Sequence, residues 1–145
     1  MDFFSSMRVS ASGLDAQMKR MNTISSNIAN AQTTRSADGT GPYKRKDPIF
    51  EAITDRESFG EILDNELDEN VQGVQVTSIQ QDPKPNMVYN PTHPDANADG
   101  YVAMPNVNPV QEMANMISAQ RSYEANVTAM GAAKSMAQKA LEIGR

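Results

Sequence analysis

Apolar residues recur every three or four positions through the first thirty residues, which is the spacing of an amphipathic helix. The pattern predicts a helix over about residues 5–31, ended by the Asp-Gly and Gly-Pro pairs in the loop that follows. Because steps of three and four alternate, the apolar side is predicted to form a coiled-coil seam. The seam comprises Phe4, Met7, Ala11, Leu14, Met18, Met21, Ser25 and Ile28.

The last third of the chain predicts a second, longer helix. Asn108 is a preferred N-cap residue and Pro109 suits the first helical position, so the helix is expected to begin there. The pattern continues to about Ile143, and Gly144 is expected to end it. We predict that one face of this helix carries Val110, Met113, Ile117, Gln120, Tyr123, Val127, Met130, Ala137 and Leu141.

The segment between the helices predicts a small insert of strands and loops. Residues 43–53 and 73–80 have the alternation and β-branched content of short strands. Residues 82–106 contain five prolines and are expected to lack regular structure. We therefore predict a mainly α fold, with an N-terminal helix in 1–34, a β/loop insert in 35–107 and a C-terminal helix in 108–145. The two helices are expected to pair as an antiparallel coiled coil.

Composition indicates that these helices contact other chains. With 39% hydrophobic residues, no Trp and a mean hydropathy of -0.56, the chain offers little material for a core. Residues 21–34 contain no ionisable side chain but many amides and hydroxyls, which suits neither a solvated face nor an apolar core. The predicted subunit-interface residues are Met18, Met21, Thr23, Asn27, Ile28, Asn30, Thr34, Met113, Ile117, Tyr123, Val127, Met130 and Leu141.

Charge and cysteine content argue against several classes of function. The absence of cysteine excludes disulfides, thiolate metal sites and a cysteine nucleophile. A pI near 4.8, with no basic cluster beyond Lys44 to Lys46, disfavours binding to nucleic acid. Residues 51–70 hold eight acids and one arginine and are expected to be solvated. No segment predicts a membrane span or a cleavable secretory signal.

Candidate chemistry is sparse. Residues 95–100, Asp-Ala-Asn-Ala-Asp-Gly, match the first half of a calcium loop, but position twelve is Asn106 where a glutamate is needed. We therefore expect a turn built on Asn and Asp side chains. The single histidine, His93, lies in the same loop and is expected to be structural or solvated. No catalytic residue, metal site or cofactor is predicted.

Several motifs resemble those of the flagellar axial proteins. The Asn-Ile-Ala-Asn sequence at residues 27–30, within SSNIANAQTT, resembles a signature near the N-terminus of flagellar basal-body rod, hook and hook-associated proteins. The stretches TTRSADGTGPYKRK, VYNPTHPDANADGYVAMPNVNPVQEM and SAQRSYEANVTAMGAAKSMAQKALEIG are similar to the proximal-rod branch of the basal-body rod family, over nearly the whole chain.

The resemblance implies a structural role without enzymatic activity. It implies a D0-like helix pair, as in other axial proteins, that polymerises with copies of itself and with rod proteins above and below. The resulting tube would span the periplasm, transmit torque and enclose the export channel. It also implies export by the flagellar type III apparatus without a cleavable signal. An alternative from another class is a secreted helical adaptor or effector that binds one partner through the same helices.

Overall fold

Two long helices and two short β-hairpins make up the fold in the computed structural model, which describes residues 3–36, 39, 41–53 and 73–143. Helix α1 spans Phe3–Ala29 and helix α2 spans Pro109–Ile143. Strands β1 (Lys46–Ala52) and β2 (Val74–Gln81) form one antiparallel pair, and β3 (Asn86–Tyr89) and β4 (Tyr101–Met104) form another. Both helices and the first two strands confirm the sequence predictions. Most of the acidic segment 51–70 lies outside the described residues.

The start of α2 is set by its cap. The side-chain oxygen of Asn108 accepts hydrogen bonds from the backbone N–H groups of Val110 and Gln111, at 3.1 and 3.4 Å. These groups have no partner within the helix, so the cap stabilises its first turn. The predicted N-cap and first helical residue are therefore confirmed.

The two helices pack side by side in antiparallel directions. Asn27 on α1 contacts Glu112 on α2, and Gly13 on α1 lies against Asn126 on α2. Moving fourteen residues towards the N-terminus of α1 therefore corresponds to moving fourteen residues towards the C-terminus of α2. A Cβ atom added at Gly13 would lie 2.9 Å from the amide nitrogen of Asn126. Small residues, with Ala16 on α1 and Ala119 on α2 fully buried, thus let the helix backbones approach closely.

The packed face of α2 is not the predicted face. Its central line of buried and half-buried residues has alternating steps of four and three, and Asn115 and Ser122 are half-buried beside it. The line comprises Glu112, Met116, Ala119, Tyr123, Asn126, Met130, Ala133 and Ala137. Of the predicted set, Tyr123, Met130 and Ala137 belong to this face, but Val110, Met113, Ile117, Val127 and Leu141 are exposed. The prediction was wrong because two successive steps of three, from Ile117 to Tyr123, rotate a stripe by about 120° around a helix.

The seam predicted for α1 is displaced in the same way. The face packed in the structure includes Gly13, Ala16, Thr23 and Asn27, with Ile24 beside it. From the predicted seam, Met18, Ala11 and Ser25 are exposed, while Met7, Leu14, Met21 and Ile28 are half-buried. Hydrophobicity favours large apolar side chains for the seam, but small and polar residues occupy it.

The first hairpin lies along α1 and contains a β-bulge. Ser12 Oγ accepts the backbone N–H of Val74 at 3.1 Å, and at the other end Asn27 bonds the backbone of Lys46. Ile49 on β1 pairs with Ser78 on β2, and the next residue, Phe50, pairs with Val76, so Thr77 has no opposite residue. Because strand residues alternate between faces, this extra residue brings Ile79 and Val76 to the same face.

The second hairpin corrects the expectation that residues 82–106 lack regular structure. The strands β3 and β4 pair in register from Asn86 opposite Met104 to Tyr89 opposite Tyr101. The prolines flank these strands and none lies inside them, so no ladder hydrogen bond is lost. Val102 is buried, and the rings of Tyr89 and Tyr101 meet edge to face at 5.3 Å.

We predict that enlarging Ala119 destabilises the protein because this residue is 0% exposed at the close approach of the helices. Ala119→Leu should lower the free energy of unfolding by about 1–3 kcal/mol through overpacking. Ala114→Leu, an exposed position on the same helix, is the matched control and should change it by less than about 0.5 kcal/mol. Urea denaturation followed by circular dichroism measures both; equal effects would contradict the close packing of the helices.

Candidate functional site: a polar junction and an exposed apolar stripe

The side chain of Asn27 joins the end of α1 to the start of β1. Its Nδ2 donates to the backbone oxygen of Lys46 at 2.8 Å, and its Oδ1 accepts the Lys46 N–H at 2.9 Å. The Tyr43 hydroxyl donates to Oδ1 at 3.0 Å, and Nδ2 also donates to Glu112 Oε2 at 3.2 Å. All four hydrogen-bonding positions of the amide are thus occupied, which allows Asn27 to be 1% exposed.

Glu112 brings the start of α2 to the same point. Its side chain is 1% exposed, and Oε1 accepts a hydrogen bond from Arg45 Nε at 2.9 Å. Arg45 also pairs with Asp47 at 2.9 Å. Burial opposes the charge of Arg45, but the hydrogen bonds to Asp47 and Glu112 outweigh it and raise the pKa of the guanidinium. We name Asn27, Tyr43, Arg45, Lys46 and Glu112 the polar junction.

A second contact ties the segment after α1 to the loop between β3 and β4. Thr34 Oγ1 donates to Asp95 Oδ2 at 2.7 Å, and Arg35 forms an ion pair with the same carboxylate. The Thr34 hydroxyl, followed by the Arg35 guanidinium, holds the pKa of Asp95 below its ordinary value. This contact and the polar junction together orient the insert relative to the helices.

The loop of residues 90–100 has the predicted turn geometry. Asn97 Oδ1 accepts the backbone N–H groups of Asp99 and Tyr101, at 3.1 and 2.8 Å, which is the bonding of an Asx turn. Gly100 adopts a φ of 79°, which glycine tolerates best. His93 Nδ1 accepts the Asp95 N–H at 3.1 Å, so this histidine has a structural contact. Among the described residues, no group of His, Asp and Glu has an arrangement that could hold a metal ion.

The predicted interface residues fall into three environments. Thr23 and Asn27 are buried within their own chain, and Thr34 bonds Asp95. Met21, Ile28, Asn30, Tyr123 and Met130 are half-buried. The exposed members are Met18, Met113, Ile117, Val127 and Leu141. The structure therefore separates polar residues that organise the subunit from apolar residues that it leaves uncovered.

The exposed apolar residues of α2 form a stripe in its first half. Val110, Met113 and Ile117 are spaced by three and four residues and are each more than half exposed. They lie on the side of α2 that faces away from α1. Their positions in the sequence are out of step with those of the packed face, so the helical turn directs them to another side of the helix. We call these three residues the outer stripe. Within the described chain, no helix has both the length and the apolar character to cross a bilayer.

Sequence reasoning missed Glu112, Arg45 and Tyr43. A signal for Glu112 exists, because it shares the seven-residue spacing of Ala119, Asn126 and Ala133 along the packed face of α2. A lone charge in such a series predicts a buried partner. Nothing in the sequence indicates that Arg45, eighteen residues after Asn27, is that partner, because a loop of undetermined path separates them.

Two family comparisons cover the ends of this chain. Residues 7–35 match the family described as "Flagella basal body rod protein", and residues 98–143 match "Flagellar basal body rod FlgEFG protein C-terminal". Over 100% of both chains, the sequence is 49% identical to the flagellar basal-body rod protein FlgC of Bacillus subtilis. It is 45% identical to the protein of that name from Borreliella burgdorferi, over 99% of this chain and 98% of the relative. For Salmonella typhimurium the identity is 39%, over 94% of each chain.

Removal of the Asn27 amide should leave several buried polar groups without hydrogen-bond partners. Asn27→Ala leaves the Lys46 backbone, Tyr43 and Glu112 without their partner, so we expect a loss of roughly 3 kcal/mol in the free energy of unfolding. Asn22→Ala, an exposed asparagine on the same helix, should cost less than about 0.5 kcal/mol. Chemical denaturation of the two variants tests this difference, and a cost for Asn27→Ala no greater than that of the control would refute it.

The Asp95 contact predicts a pH dependence of stability. Because the folded-state pKa of Asp95 is lowered, its contribution is present above its ordinary pKa of about 3.9 and is lost as pH falls through the lower folded value. The stability difference between the unaltered protein and Asp95→Asn should therefore shrink as pH falls below about 4. Thermal melts from pH 2 to 7 measure it. Asp99→Asn, in the same loop, is the control, and a difference that stays constant with pH would contradict the assignment.

Proposed function

Because the chain belongs to the flagellar basal-body rod protein family and is a FlgC-like structural subunit of the rod, we propose that it polymerises through its two terminal helices. The observation that carries the proposal is the similarity to rod proteins along the full length of the chain. The exposed apolar side chains on the helices support it. In this proposal residues 1–34 and 108–145 form the polymerising core and residues 35–107 form the insert.

The small apolar core of the helices supports a role in assembly. Among the described residues, the buried apolar side chains are mostly small and comprise Ala16, Ile24, Val102, Ala119 and Ala133. Much of the apolar material of the helices is thus available for contacts between subunits, which bury large areas in permanent assemblies.

We propose that the helix pair is an antiparallel coiled coil of the D0 type found in axial proteins. The alternating steps of three and four on the packed face of α2 support this form, since they match a heptad pattern. The outer stripe, Met18, Val127 and Leu141 would then contact neighbouring copies. Repetition of such a contact between different surfaces of identical subunits builds a helical tube, which would transmit torque and enclose an export channel.

The family places the protein in the flagellar basal body, in association with other rod components. We further propose that its neighbours are rod proteins above and below it and that the rod spans the periplasm. We also propose that the flagellar type III apparatus exports the chain without a cleavable signal. The relatives are structural rod proteins, and we propose no catalytic activity.

A test replaces an exposed member of the outer stripe. Ile117 is 54% exposed, so Ile117→Lys should leave the stability of the subunit nearly unchanged while placing a charge in the subunit interface. We expect loss of swimming in soft agar and absence of complete rods in isolated basal bodies. Ile117→Leu is the control that should retain motility. Normal rods built from Ile117→Lys would exclude the outer stripe from the interface, and a discrete complex with one partner would favour the adaptor.

A further inference from the structure

We propose that Glu112 is a positioning residue that selects one register of α2 against α1. It does so by pairing, inside the polar junction, with groups that only the native register brings together. The importance of this register rests on the proposed function, because a polymer requires every subunit to present the same surface. The register itself is a property of the single chain and is measured without assembly.

The rest of the helix contact specifies the register weakly. On α2 the packed face repeats with a period of seven residues at Ala119, Asn126 and Ala133. On α1 the contacts at Gly13 and Asn27 are also separated by a multiple of seven. A slip of one heptad in either direction therefore places an alanine, Ala119 or Ala133, level with Gly13 in place of Asn126. The large side chains of the packed face of α2, Met116, Tyr123 and Met130, are only half-buried, so their packing discriminates little between registers.

The polar junction distinguishes the native register from the slipped ones. A slip of one heptad in one direction brings Glu112 level with Arg20, but it leaves Asn27 without its fourth hydrogen bond and Arg45 without a buried partner. A slip in the other direction moves Glu112 beyond the end of α1, since seven residues after Asn27 is Thr34. Glu112 keeps both bonds, to Arg45 Nε and Asn27 Nδ2, only in the native alignment.

The junction also transmits the register to the insert. Arg45 and Lys46 stand immediately before and at the start of β1, while Asn27 belongs to α1 and Glu112 to the first turn of α2. One buried carboxylate thus fixes the relative positions of three segments. Buried ion pairs often add little stability relative to apolar replacements, and their best-attested use is to specify one arrangement among several.

The absence of cysteine allows two spin labels to be introduced without other changes. Labels at Ser25→Cys and Ala125→Cys occupy exposed positions on α1 and α2, offset along the helix axes. Because of this offset, a slip of one heptad, about 10 Å along the axis, changes their separation by several ångströms. Double electron–electron resonance on the purified, labelled protein should give one narrow distribution of distances between the two labels.

The decisive variant replaces the buried ion pair by apolar side chains of similar length, Arg45→Met with Glu112→Met. Three of the four hydrogen bonds of Asn27 remain available to it. We expect an unchanged or higher melting temperature, together with a second population at the slipped distance. Glu112→Gln, which offers one acceptor where two donors converge, should show a smaller second population.

The control is Arg121→Met with Glu124→Met, which replaces two exposed charged residues on the same helix. This control should keep the single distance distribution. A single native distance in the Arg45→Met, Glu112→Met variant would overturn the proposal. Loss of its folded state would also overturn it, because the pair would then be required for stability. A broad distribution in the unaltered sequence carrying the labels would show that no register is selected. None of these results depends on rod formation, so the proposed function is tested separately.

Discussion

A side-chain amide can be buried at low cost only when its two donors and its acceptor oxygen find partners, and Asn27 meets that condition completely. Its two bonds to the backbone of Lys46 imitate the pairing of a neighbouring strand, so the end of α1 behaves as an attachment point for the first hairpin. The direction of the first hairpin at this end, and the placement of Arg45 beside Glu112, depend on this attachment.

The distribution of side-chain sizes explains how one small chain forms a subunit for an assembly. Glycine and alanine occupy the contact between the helices and bring the backbones close together. Larger side chains of the packed face, such as Met116 and Tyr123, are only half-buried, and Val110, Met113 and Ile117 remain on the surface. In a monomeric protein such a stripe would favour non-specific association. In the assembly that we propose, it would supply contacts with neighbouring subunits.

The sequence predicted those features that depend on neighbouring residues in the chain. The start of α2 followed from Asn108 and Pro109, and the strands β1 and β2 followed from their alternation. The packed faces of the helices were not predicted, because hydrophobicity alone assigns the seam to large apolar residues such as Met18 and Ile117, whereas Ala16 and Ala119 are buried in it. The polar junction depends on residues brought together by the path of the loop before β1, which no periodic pattern encodes. The second hairpin was not predicted, because the number of prolines in residues 82–106 disfavours strands, whereas their positions outside β3 and β4 permit them.

The positions of these prolines have a consequence for the free subunit before it joins the rod. A two-stranded ribbon has unpaired N–H and C=O groups along both of its outer edges, and such edges recruit further strands in aggregation. The strands β3 and β4 are four residues long, and Pro85, Pro91 and Pro105 stand close to their ends. A proline cannot donate a hydrogen bond to an incoming strand, so the edges offer too short a template for cross-β growth. The second hairpin is thus a poor starting point for amyloid-like association between free subunits.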